Sequence, residues 1–166
     1  MTRVLATLAR LLLGGVWLWA GFAKVVDLDA SVRAVRAYEL LPEPVVPAIG
    51  AALPLVEILL GLLLVVGAFV RPAAAVSAVL MAAFVIGIAS AWARGLRIDC
   101  GCFGSGGLLA ADEEPTYGWE LARDGGLLLV ALLLARWPAS RFALDGLFGR
   151  RPVDERVRRP AGVGTE

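Results

Sequence analysis

Two uninterrupted apolar stretches, about Val45 to Val70 and Ala73 to Ala93, dominate the sequence. A helix needs about 20 consecutive apolar residues to cross the hydrocarbon layer, and both stretches exceed that. Only helices and closed barrels satisfy all their backbone hydrogen bonds in lipid, and unbroken runs of this length fit helices. Two further stretches extend the pattern. One runs from about Val4 to Val26, with Arg10 near its start and Lys24 near its end. The other runs from about Tyr117 to Trp137, with Glu120, Arg123 and Asp124 in its first two turns. Long cationic side chains near span ends reach the headgroups, so Arg10 and Lys24 are expected to snorkel. The expected fold is all-α: an integral membrane four-helix bundle in the lipid bilayer, covering residues 1–140 as one domain. Residues 141–166 form a basic tail rich in Arg, Pro and Gly, expected to be disordered. The first stretch reads as a retained span, not a signal peptide, because its apolar run is long and no small-residue cleavage site precedes a polar segment.

Cationic residues orient the bundle. With a cytoplasmic N-terminus, Arg3, Arg10, Arg71, Arg136, Arg141 and the tail arginines lie inside. Lys24, Arg33, Arg36, Arg94, Arg97 and Arg123 lie outside or at outer helix ends. Both termini are then cytoplasmic, and residues 27–44 and 94–116 are outer loops. In the first loop Val32, Val35, Tyr38 and Leu41 recur at helical spacing. They predict a short amphipathic helix on the outer face, stopped at Leu41-Pro42. The turn at Val70-Arg71-Pro72 is short, so the second and third spans should be neighbours. Pro54, well inside the second stretch, should kink it. Gly14, Gly15, Gly21, Gly61, Gly125 and Gly126 suit close helix packing.

The chemistry available is narrow. The chain has no histidine, which removes the commonest general base and most zinc and haem sites. The net charge of +1 gives no field for nucleic acid, so none is expected as a partner. The redox-active side chains are Cys100 and Cys102, one residue apart in the second outer loop. On the oxidising side of a membrane such a pair can form a disulfide. Its ring is small and strained, which favours a reducible bond, and Gly101 supplies backbone freedom. A structural bridge would gain little from so short a loop. Arg94 and Arg97 are close enough in sequence to favour a thiolate, while Asp99 opposes it. Two further readings stay open: an inert structural pair in a membrane scaffold, or a copper(I) site, since soft thiolates select that ion.

Intramembrane charge is the second signal. Glu57 falls about twelve residues into the second stretch, ~18 Å deep at 1.5 Å per residue, and Arg123 about six residues into the fourth, roughly 9 Å deep. Each costs ~2.5–3.5 kcal/mol in lipid on insertion scales, so each should face a partner or a cavity. Glu57 is expected to pair with Arg123 or with Lys24, and Glu120 with Arg123 along their helix. Such charges either pin helices together or form a polar site beneath the cysteine loop, able to bind a quinone head or relay a proton.

These elements together resemble a known family. Gly21-Phe22-Ala23-Lys24-Val25-Val26-Asp27, Tyr38-Glu39-Leu40-Leu41-Pro42, Pro54-Leu55-Val56-Glu57, Cys100-Gly101-Cys102-Phe103-Gly104, Trp119 and Arg123-Asp124 look like the MauE family of methylamine utilisation proteins, within the wider DoxX-like group. The Cys-Gly-Cys-Phe-Gly loop is the sharper part of the match. The resemblance, over roughly residues 3–137, implies a bacterial cytoplasmic-membrane protein. It also implies a part in disulfide maturation of extracytoplasmic proteins with a thioredoxin-fold partner. Taken with the residue reading above, the redox pair is expected at Cys100 and Cys102, and a quinone, if bound, near Lys24, Glu57, Arg123 and Asp124.

Overall fold

The computed structural model describes residues 3–101, 106–109 and 113–137. Five α-helices and one two-stranded hairpin make up the described chain: α1 Arg3–Val25, α2 Leu28–Ala37, α3 Val46–Val66, α4 Val70–Ala93, β1 Ile98–Cys100, β2 Gly106–Leu108 and α5 Tyr117–Arg136. A 3₁₀ turn at Glu43–Val45 leads into α3. The helices α1, α3 and α4 are long and apolar enough to cross a membrane. Helix α5 matches the fourth apolar stretch, but the charges in its first turns keep it short of that standard. The basic tail falls outside the described residues.

The bundle is organised as two helix pairs. Helix α1 packs along α3, and α4 along α5. Glycine sets the first pairing. A Cβ on Gly61 would lie 2.7 Å from Leu18 Cγ, and one on Gly21 would lie 2.9 Å from the Pro54 carbonyl oxygen. Only a bare Cα lets the backbones approach this closely. Gly14 behaves alike, whereas Gly15, Gly125 and Gly126 have nothing within 4 Å of an added Cβ. The expectation of close packing therefore fails for those three.

Between the pairs lies an apolar core that includes Leu13, Trp17, Leu60, Leu64, Met81 and Leu134. The buried Trp17 indole donates to Ser77 Oγ at 2.9 Å, tying α1 to α4. Satisfying that N–H matters where no water competes. Arg10 does not reach outward as expected. It is buried within the bundle.

The break between α3 and α4 comes earlier than the prolines suggest. Gly67 adopts the left-handed conformation (φ 77°), and its N–H donates to Leu63 O, closing α3. Arg71 and Pro72 sit in the first turn of α4, where a missing N–H costs nothing. Although joined by this short turn, α3 and α4 pack together less than either does with its own pair partner.

Helix α2 forms in the first loop, but with different boundaries and a different inner face from those expected. Asp27 Oδ1 accepts from the Ala30 N–H at 2.8 Å and caps its start. The helix ends at Ala37, with Glu39 at φ 51°, before Leu41-Pro42 is reached. Its buried residues are Ala30, Ser31 and Ala34, and Leu41 is exposed. Small residues face inward because α2 lies against the backbone of α3: a Cβ on Gly50 would meet Val32 Cα at 2.7 Å.

Ser31 Oγ donates to the Gly50 carbonyl at 2.7 Å. That carbonyl would normally accept from residue 54, which is proline and has no N–H. The helix α3 runs through Pro54 unbroken, and the hydroxyl of α2 takes the vacant bond.

Candidate functional site

The second loop leaves α4 at Arg94 and folds into the hairpin, with Ile98 opposite Leu108, Asp99 opposite Gly107 and Cys100 opposite Gly106. This short sheet did not figure in the expected all-α fold. Two tyrosines fix it. The Ile98 N–H donates to the Tyr117 hydroxyl at 3.1 Å, and that hydroxyl donates in turn to Leu96 O, so the start of α5 grips β1. The Tyr38 hydroxyl donates to the Cys100 carbonyl at 3.0 Å, which brings the first loop onto the second. Arg94 Nη2 donates to the Tyr38 carbonyl from the other side. The two loops therefore lie on the same end of the bundle. Gly101, directly after Cys100, has φ 67°, a conformation that costs glycine nothing. Cys102 lies outside the described residues.

Cys100 is half-buried at the end of β1, above the first turns of α5. Arg123 Nη2 is 3.7 Å from its Sγ. The guanidinium is held in place by Asp124, whose Oδ1 accepts from Arg123 Nε at 2.8 Å. The cation beside the sulfur is thus Arg123, not Arg94 or Arg97. Those two turn to backbone carbonyls of Ser90, Tyr38 and Glu113, and Arg97 also to the Glu114 carboxylate at 3.7 Å. A positive group in contact with sulfur favours the thiolate and makes it a better leaving group.

Two carboxylates complete the surroundings. Oxygens of Asp99 and Glu120 and the Cys100 Sγ lie within 4.8 Å of one another. Glu120 is 5% exposed; Thr116 Oγ1 donates to its Oε1 at 3.2 Å, and its Oε2 has no partner among the described residues. A sulfur with two carboxylates could ligate a cation, but the Arg123 charge at the same sulfur opposes one. The set is better suited to moving a proton, with Glu120 as acceptor from the thiol. The sequence reading offered Glu120 only as a helical neighbour of Arg123. The hairpin that brings Cys100 over it is a tertiary feature.

Beneath the sulfur lies the ionic cluster. Lys24 Nζ is 2.6 Å from Glu57 Oε1, and the residues are 3% and 0% exposed. Of the two partners expected for Glu57, Lys24 is the one found. Lys24 does not snorkel. It turns inward, with its ammonium 5.7 Å from the Phe84 ring centroid. Glu57 and Asp124 line one small cavity of about 10 Å³, and Lys24 and Cys100 line another of about 30 Å³. The Lys24–Glu57 pair of α1 and α3 and the Arg123, Asp124 and Cys100 group of α5 and the hairpin thus border common cavities.

Membrane-crossing helices closed at one end by a cysteine hairpin over buried charges define a polytopic membrane protein with a site at its loop face. The model of one family, described as methylamine utilisation protein MauE, matches residues 2–136, and the chain belongs to that family. No curated protein and no solved structure matches the chain.

Proposed function

We propose that this chain is a four-span thiol–disulfide oxidoreductase of the outer face of the bacterial cytoplasmic membrane, with Cys100 and Cys102 as its redox pair. The observation that carries the reading is the contact of Arg123 Nη2 with Cys100 Sγ at 3.7 Å above a buried ionic cluster. A structural disulfide needs no cation beside its sulfur. A thiolate leaving group does.

The fourth span is α5. Its inner residues Ala131 and Leu134 share a core with Val70 and Ala73, at the start of α4, while its first turn holds the hairpin that follows the end of α4. It therefore runs the length of α4, returns the chain to the side of the N-terminus, and makes both termini cytoplasmic under the excess of inner arginines.

A dithiol of a thioredoxin-fold partner enters as a thiolate. It attacks Cys102, forms a mixed disulfide there and releases Cys100 as the thiolate that Arg123 stabilises. The partner's second thiol then displaces Cys102, leaving the partner oxidised and both cysteines reduced. Two electrons and two protons pass from the dithiol to a quinone, giving a quinol and restoring the disulfide. Glu120 receives the Cys100 proton in that second half-reaction. Methylamine dehydrogenase maturation is one context for such chemistry, suggested by the family's name.

Trapping tests the scheme. With Cys102 as the attacked sulfur, a partner whose second cysteine is replaced by Ser accumulates a mixed disulfide at Cys102 of the intact chain, visible on a non-reducing gel and absent with the double Cys→Ser protein. Full maturation activity in the double variant would remove the redox reading and leave a scaffold role.

A further inference from the structure

The cluster beneath Cys100 has little room for a ring. The space between Glu57 and Asp124 is about 10 Å³, roughly the least that holds one water. A larger opening lies elsewhere. Where α3 and α4 part beyond their turn, an apolar groove of about 240 Å³ is lined by Ile49, Leu53, Leu80, Ala83 and Phe84. It is continuous with the 30 Å³ cavity below the hairpin, because Val35, Tyr38, Leu53 and Phe84 line both. At its inner end are Lys24, Ser31, Tyr38 and Cys100.

We propose that this groove is the lateral binding site of an isoprenoid quinone, with the ring at the Tyr38–Phe84 narrowing and the tail leaving between α3 and α4 into the bilayer. The inference rests on the redox reading given above and moves the quinone from the Glu57–Asp124 side of the cluster to the Lys24–Cys100 side. Three observations select the occupant. The lining is apolar along the groove and ends in polar groups, which matches an apolar tail bearing a polar head. The cationic end group is the Lys24 ammonium, while the Tyr38 and Ser31 hydroxyls beside it already donate to the Cys100 and Gly50 carbonyls. No carboxylate lines either cavity among the described residues, so a head of carbonyl acceptors is complemented and a cationic head is not. The inner end is also bordered by Cys100, which brings the redox residue to the same cavity. The groove opens between two helices that each qualify as membrane spans, so the ligand enters from lipid and not from water.

The test uses the full chain in quinone-free nanodiscs of a single saturated phosphatidylcholine, labelled with a photoreactive azido-quinone. Label should map to Leu53, Leu80 and Phe84, and decylubiquinone should compete it away while decylbenzene, with the same tail and a plain ring, should not. Ala83→Phe and Ile49→Trp both fill the groove from exposed positions without entering the core, and each should weaken competition at least tenfold. Equal competition by decylbenzene, label spread evenly over lipid-facing residues such as Trp19 and Val79, or filled variants that bind normally would each overturn the proposal. Quinone binding without mixed-disulfide trapping would sink the redox reading and leave this site standing. Trapping without saturable binding would do the reverse.

Discussion

Replacing Lys24 by methionine removes the cation paired with Glu57 and leaves a carboxylate with no exposed surface and without that countercharge at 2.6 Å. Breaking a buried pair from one side costs about 3–5 kcal/mol, because the remaining charge keeps its desolvation penalty and loses its compensation. Glu57→Leu alone removes the carboxylate from the buried ammonium and should cost a similar amount. The double variant, Lys24→Met with Glu57→Leu, restores an apolar fill of similar volume. Since apolar replacement of a whole buried pair is often neutral or stabilising, it should return to within about 1 kcal/mol of the parent. The coupling across the cycle is then about 5 kcal/mol or more. Equilibrium unfolding in mixed micelles, followed by tryptophan fluorescence, measures all four proteins. Single variants within about 0.5 kcal/mol of the parent, or a double variant as weak as the sum of the singles, would refute the reasoning. The double variant also separates two roles. A protein that is stable but inactive shows that the pair serves the site, and a stable, active one shows that it only pins α1 to α3.

Three more outcomes follow from the geometry. Ser31→Ala leaves the Gly50 carbonyl buried and unbonded, and should cost about 1–3 kcal/mol in the same unfolding assay; adding Pro54→Ala supplies the missing N–H and should recover part of that loss. Gly61→Leu forces a side chain into space where Leu18 Cγ stands 2.7 Å from the first added atom, at a cost of about 1–3 kcal/mol or more, whereas Gly126→Leu, which meets nothing, should fall within about 0.5 kcal/mol. Arg123→Gln removes the charge from Cys100 and, in a Cys102→Ser background, should slow iodoacetamide labelling near neutral pH by about tenfold, as expected when a neighbouring cation favours the thiolate by about one pH unit.

The apolar helices were legible because hydrophobic length is a one-dimensional property. The stretches beginning at Val4, Val45, Ala73 and Tyr117 became α1, α3, α4 and α5 within a few residues. The α3 end moved from Val70 to Val66 because Gly67 could turn left-handed, while Pro72 fitted a first turn. Helix α2 was foreseen, yet its face was not. Periodicity pointed to Val32 and Val35, and Val32 does lie against Gly50, but the fully buried residues are the smaller Ala30, Ser31 and Ala34, and hydropathy does not register closeness. Lys24, Glu57, Arg123 and Asp124 were singled out by the cost of charge in lipid, and the structure gathers them together. Their pairing was only half visible. Arg123 meets Cys100 because β1 doubles back over α5, which local sequence does not encode. Tyr117, named in the sequence only as the start of the fourth stretch, holds the hairpin.

The division into two helix pairs bears on how the site is mechanically coupled. Lys24 and Glu57 belong to α1 and α3, Arg123 and Asp124 both to α5, so neither ion pair crosses the seam. Across it run the Trp17–Ser77 bond, the Lys24–Phe84 contact, the Tyr38–Cys100 and Arg94–Tyr38 bonds and apolar packing, and the two halves also share empty space: one small cavity bordered by Glu57 and Asp124, another by Lys24 and Cys100. Rocking one pair against the other by an ångström would therefore widen or narrow both cavities. The seam acts as a gap gauge, in which the spacing of the two halves is felt beside Cys100 as volume.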